Sequence, residues 1–145
     1  MIDFIEGKIN LGERNISAES DSEDLDALAA EGIIEKKEGS GGKKYYYVEA
    51  EEDGMRFGVF IRLRAKNIEW LLLRWLGRPM KGWDDVSEKA MTDEYRLLSN
   101  FVKKQVGAPP NNTKTGTRVW CLNWGQINVS YEVRSFDVAI FMKPK

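Results

Sequence analysis

Apolar and polar positions alternate most cleanly over Met55–Arg64, where Phe57, Val59, Ile61 and Leu63 fall on one side and Arg56, Phe60, Arg62 and Arg64 on the other. A period of two predicts an antiparallel strand with one buried face. Residues 44–50, with Tyr45-Tyr46-Tyr47-Val48, predict its partner, joined to it through the Asp53-Gly54 turn. The triple leucine within residues 68–76 suits a helix or a strand. Its flanking Trp70 and Trp75, the Lys66-Asn67 turn before it and Gly77-Arg78-Pro79 after it favour a strand. Near the end of the chain Trp120, Leu122 and Trp124 share a face, and Gly125 predicts a bulge or a close backbone approach. Ile127, Val129 and Tyr131 then run out, Glu132-Val133-Arg134-Ser135 makes a polar corner, and Val138, Ile140 and Met142 run back as a hairpin.

Helical spacing occurs twice. Leu25, Leu28 and Ala29 predict a short helix that Ser20 or Ser22 caps and Gly32 ends, with Asp21, Glu23 and Asp24 at its positive start. Residues 83–106 predict the main helix, with Asp84 or Asp85 as cap, an apolar stripe of Val86, Ala90, Leu97, Leu98, Phe101 and Val102, and a stop at Gly107 before Pro109-Pro110. Residues 2–11 predict one strand bulged at Gly7, Ile33-Ile34 a brief strand, and residues 38–42 and 111–116 loops. The expected fold is α+β in a single domain over residues 1–145. It would be a curved antiparallel sheet of about five to seven strands, the long helix packed on one face, with one short N-terminal helix.

Composition narrows the chemistry. The chain has no histidine, which excludes Ser-His-Asp and Cys-His catalysis and histidine-ligated metals. Cys121 is the single cysteine, so no internal disulfide forms; its apolar surroundings predict a buried structural thiol in a reducing compartment. The first residues lack the basic and apolar regions of a signal peptide, and Trp70-Leu71-Leu72-Leu73 is too short to span a bilayer. A bacterial cytoplasmic protein without membrane contact is the expectation.

Charge is uneven. Residues 1–31 hold nine acidic and two basic side chains, a balance of −7, so the remainder carries +6 against a total of −1. Asp21, Glu23, Asp24 and Asp26 lack the Asp-x-Asp-x-Asp-Gly spacing of a calcium loop and suit a solvated helix face or a docking patch. The glycines of residues 38–42 lack the spacing of a phosphate cradle. Glu69 and Glu132 could serve acid–base chemistry only as a facing pair. Lys43, Lys44, Tyr45, Tyr46, Tyr47, Arg56, Arg62 and Arg64 form a basic and aromatic band suited to a protein partner or, alternatively, to stacking and neutralising single-stranded nucleic acid. An overall pI near 5.7 weighs against general nucleic-acid binding.

The C-terminal pattern Trp124-Gly125-x-Ile127-x-x-Ser130-Tyr131-Glu132-x-Arg134-Ser135, with Ala139-Ile140 beyond it, follows Phe4-Ile5-Glu6-Gly7-Lys8-Ile9-Asn10-Leu11-Gly12, a Trp83-Asp84-Asp85 helix entry and a long helix. This combination resembles small bacterial immunity-type proteins encoded with polymorphic or contact-dependent toxins. The likeness covers most of the chain in outline and is motif-like in the C-terminal hairpin, where aspartate is expected at the position of Glu132. It implies a non-enzymatic, stoichiometric inhibitor, without cofactor or metal, that blocks a cognate toxin in the cytosol. A nuclease toxin would offer a basic cleft to Asp21, Glu23, Asp24 and Asp26, while Tyr45, Tyr47, Arg62 and Arg64 would anchor the complex.

Overall fold

The computed structural model describes residues 1–78, 87–135 and 137–145. Strand β6 (Met55–Arg64) keeps the alternation of its sequence: Phe57, Val59 and Ile61 are fully buried, and Phe60 and Arg62 face the other way. It pairs with β5 (Lys44–Glu52) through a turn in which Asp53 and Gly54 both take positive φ, the geometry that suits a tight hairpin. The triple leucine lies in strand β7 (Asn67–Trp75), which buries Leu71 and Leu73 and turns Leu72 outward.

The other elements are β1 (Ile2–Asp3), β2 (Lys8–Leu11), β3 (Arg14–Ser17), α1 (Ser22–Ala30), β4 (Glu35–Glu38), α2 (Glu88–Val106), β8 (Asn112–Lys114), β9 (Thr117–Leu122), β10 (Gly125–Glu132) and β11 (Asp137–Pro144). Eight strands make one antiparallel sheet in the order β4-β5-β6-β7-β11-β10-β9-β8, and β1-β2-β3 make a second. The large sheet is two four-stranded meanders. The chain leaves the first at β7, passes through α2, enters the far edge at β8 and winds back until β11 pairs with β7.

The sheet is larger than the expected five to seven strands for a physical reason. β4 reads Glu-Lys-Lys-Glu and β8 reads Asn-Thr-Lys, and every residue of both is exposed. Neither has an apolar face to betray it, and charged edges of this kind resist pairing with other chains. Ile33-Ile34 is not a strand; it precedes β4 and buries Ile34 as an anchor. Residues 111–116 are a hairpin arm rather than a loop, since β8 pairs with β9. The expected single strand over residues 2–11 is two strands, because Gly7 at φ +70 reverses the chain instead of bulging it.

One face of the large sheet carries the core. Val59, Ile61, Leu73, Ile127, Val129, Ile140 and Met142 are fully buried there, and α2 packs across β10 and β11. Its buried stripe is Met91, Tyr95, Leu98, Phe101 and Val102. Leu97, expected in that stripe, is 41% exposed; the burial runs through positions 91, 95, 98 and 102 at helical spacing instead. Ser87 caps α2 by accepting from the Ala90 amide at 3.0 Å, and Gly107 ends it at φ +80. The expected entry at Trp83, Asp84 and Asp85, and Val86 of the stripe, lie outside the described residues.

The small sheet and α1 join the same side. Phe4 sets its ring edge-on to Phe101 with centroids 5.8 Å apart, and Leu25 and Leu28 of α1 enter the same core cluster. The cap of α1 is Asp21, not Ser20 or Ser22. Asp21 accepts from the Asp24 amide at 3.0 Å and Asp24 accepts from the Asp21 amide at 3.1 Å. Ser20 is occupied elsewhere, accepting from the Ser17 amide. Asp21→Ala should therefore cost about 1 kcal/mol of stability, seen as a lower urea midpoint at unchanged slope. Among the described residues no helix is long and apolar enough to cross a membrane.

Candidate functional site

Strand alternation that fills the core also decides what the opposite face displays. Register places Tyr47 opposite Phe60, Phe60 opposite Leu72, Leu72 opposite Phe141, Phe141 opposite Asn128 and Asn128 opposite Val119. One row thus crosses six strands from β5 to β9. All its members are half-buried except Asn128, which is 8% exposed and whose Oδ1 has no hydrogen-bond partner among the described residues. An antiparallel sheet with one wet face normally shows polar residues there. Here the middle of that face is aromatic and aliphatic, and among the described residues no helix or second sheet packs over it.

The rings form a connected group. Phe60 lies 5.0 Å from Tyr47 and 5.9 Å from Tyr45, centroid to centroid, and Trp70 meets Phe141 edge-on at 5.8 Å. Cations lean over them: Arg74 over Phe60, Arg62 over Trp70, Lys37 over Tyr47 and Lys143 over Phe141, all between 5.1 and 5.9 Å. Such contacts hold long side chains flat against the sheet. Most of these charges also have carboxylate partners. Arg62 pairs with Glu69 at 3.3 Å, Arg74 with Asp137 at 3.2 Å, Lys37 with Glu35 at 3.2 Å, and Arg56 with Glu49.

Next to the row lies a groove of about 360 Å³. Tyr45, Phe60, Trp70 and Leu72 line its floor. Lys43 and Lys44 reach it from the β4–β5 turn, where Ser40–Gly42 form a tight helical turn and the Gly39 amide donates to the Lys43 carbonyl. Arg62 and Arg74 line it as well, and among the described residues no carboxylate does.

Of the predicted site residues, Tyr45, Tyr47 and Arg62 lie on this open face, and Arg64 is exposed at the end of β6. The acidic set lies on the opposite side. Tyr46, between two outward-facing tyrosines, points to the core side and donates its hydroxyl to Asp26 of α1. The two groups therefore form no common surface. Asp21 and Asp24 face backbone amides as a capping pair, and Asp26 also binds Lys36 at 2.9 Å; Glu23 stands exposed. The Tyr46 hydroxyl, then Lys36, hold the Asp26 carboxyl below its ordinary value, and burial pushes Tyr46 up.

The sequence alone does not mark Trp70, Leu72, Arg74 and Phe141 as members of one surface. They alternate with buried neighbours, but the β7–β11 pairing that unites them spans some 70 residues of chain. Cys121 is exposed on this face beside Trp120 and Leu122, which turn inward, so it is not a buried thiol. Glu69 is tied to Arg62, and Glu132 sits exposed at the β10–β11 corner accepting from the Arg134 amide; register makes Asp137 the neighbour of Glu132. Among the described residues no three carboxylate or thiol side chains gather as metal ligands would.

A separate buried pair belongs to the α2 side. The Glu94 side chain is fully buried, accepts from Arg78 Nε at 2.9 Å and leaves Oε2 without a hydrogen-bond partner among the described residues. Burial pushes its carboxyl above the ordinary 4.5, against the pull of Arg78. The folded protein then binds more protons than the unfolded chain between those two values. That contribution is complete below pH 4.5 and is lost as pH rises through the folded value. The stability of Glu94→Gln relative to the native protein should accordingly rise between pH 4.5 and neutrality; a flat difference across paired denaturation curves would contradict this.

Compared with known proteins, the chain matches no family model, no curated protein and no solved structure.

Proposed function

We propose that the protein is a non-enzymatic binding protein, an immunity-type inhibitor that masks a cognate bacterial toxin in the cytoplasm, and that it does so with the open face of the eight-stranded sheet. The observation that carries this reading is the half-buried row Tyr47, Phe60, Leu72 and Phe141, with Tyr45 and Trp70 beside it. Aromatic side chains with arginines packed on them are the usual anchors of protein interfaces. Placed on a hydrogen-bonded sheet, they lose little freedom when a partner arrives, so more of their burial energy appears as affinity.

The acidic side of the molecule has a different part. Asp21, Asp24 and Asp26 are engaged within the fold, and with Glu23 they shape a negative field around α1. Such a field favours approach to a basic toxin and disfavours wrong partners, without forming the contact surface.

The alternative, a nucleic-acid-binding module, draws on the same aromatics and on Lys43 and Lys44. It is the weaker reading because Arg56, Arg62 and Arg74 already hold carboxylates. A phosphate chain would have to displace Glu49, Glu69 and Asp137 or run beside them.

The test is to purify the protein with the products of its neighbouring genes and measure binding by calorimetry. A one-to-one complex with a toxic neighbour supports the proposal. Absence of binding to every neighbouring product, or steeply salt-dependent binding to single-stranded RNA in its place, opposes it.

A further inference from the structure

The groove beside the row differs from the rest of the open face in its charge. Its arginines, Arg62 and Arg74, hold carboxylates that stand outside the lining, and among the described residues no carboxylate lines it. Lys43 is exposed and, among the described residues, makes no ion pair, whereas Lys44 shares the face of Tyr46 and its charge acts on Asp26. Arg74 gives one terminal nitrogen to Asp137 and keeps an Nε that is buried without a partner among the described residues. A buried donor left unpaired is a cost to the free protein, and a small turn of the guanidinium toward an incoming carboxylate would remove it.

Beneath these cations the floor is apolar, formed by Tyr45, Phe60, Trp70 and Leu72. A volume of about 360 Å³ is near the lower end of the ~300–1,000 Å³ at which pockets enclose compact ligands. It suits one large side chain with its flanking residues.

We propose that this groove receives an acidic segment of the partner protein, with one large apolar side chain laid on Trp70 and Phe60 and carboxylates directed to Lys43 and Arg74. The proposal rests on the reading that the open face binds a protein, and it names what that protein must present there. Charge decides between a peptide and a nucleic acid. The positive zone is short: Glu69 and Asp137 stand where Arg62 and Arg74 leave the groove, so a phosphate chain running along the sheet would meet carboxylates within a few nucleotides. Two or three carboxylates grouped around one anchor match the zone's length.

An NMR titration tests this with three probes: a short peptide holding one tryptophan flanked by glutamates, its counterpart with lysines replacing the glutamates, and oligouridine. Saturable shifts at the Trp70 indole and at Tyr45 are expected with the acidic peptide alone. The variant Lys43→Glu, altered only at an exposed position, should weaken that binding at least about tenfold. The inference is overturned if the acidic peptide does not saturate, if its shifts map elsewhere, if Lys43→Glu binds it equally well, or if oligouridine binds the groove more tightly. Failure of the peptide beside an intact complex with a neighbouring toxin removes the groove assignment alone. Success of the peptide without any toxin complex leaves the groove and removes the immunity reading.

Discussion

Gly7→Val is expected to cost about 2–4 kcal/mol and to loosen the small sheet from the large one. Two effects add. Gly7 takes φ +70, a conformation that a β-branched residue adopts only under strain. A Cβ there would also stand 2.4 Å from Cδ2 and 2.7 Å from Cγ of Trp124, well inside contact distance. Trp124 has little freedom to retreat, because its Nε1 donates to the Phe4 carbonyl at 3.0 Å. Phe4 in turn leads into the ring of Phe101 on α2. Displacing the indole therefore disturbs the seam where the N-terminal sheet, the β9–β10 turn and the long helix meet. Chemical denaturation followed by tryptophan fluorescence measures the loss; a change below about 0.5 kcal/mol, the range of ordinary surface substitutions, would contradict it.

Trp70→Ala and Leu71→Ala should have opposite consequences although the residues are adjacent. Leu71 is 2% exposed within the core, and its truncation should cost about 2–5 kcal/mol of stability. Trp70 lies on the other face, edge-on to Phe141 and beneath Arg62. Its truncation should leave the protein folded while weakening the proposed toxin complex by about 2–4 kcal/mol, the range of an aromatic anchor. Parallel stability and calorimetric measurements on the two variants separate support of the fold from contact with the partner. Equal effects on both quantities would mean that the faces are not divided as the register indicates.

The parts of this fold that were legible in the sequence are those where one face is buried. β6 alternates because Phe57, Val59 and Ile61 are in the core, and the β10–β11 hairpin is marked for the same reason by Ile127, Val129, Ile140 and Met142. Gly125 was legible as a point of close approach: a Cβ there would stand 2.2 Å from the Lys143 carbonyl oxygen. β4 and β8 were not legible, since an exposed edge strand needs backbone partners and no particular side chains. The cap at Asp21 was hidden among three serine and aspartate neighbours able to do the same work.

The candidate site was half legible. Tyr45, Tyr47 and Arg62 could be placed on the outer face from the local period alone. Nothing local says that β7 pairs with β11, and that pairing brings Leu72 and Phe141 together and completes the row. Nor does local pattern say which side of the sheet α1 covers. The bond from Tyr46 to Asp26 settles that, and it places the acidic residues on the side of the sheet away from the outward-facing aromatic ones.

The most direct measurement is the affinity of the purified protein for the products of its neighbouring genes, taken for the native protein and for folded Trp70→Ala. A tight one-to-one complex is predicted for the first, weakened by about 30-fold or more in the second. No complex at all, or one that Trp70→Ala leaves unchanged, would contradict an inhibitor that works through the open face of its sheet.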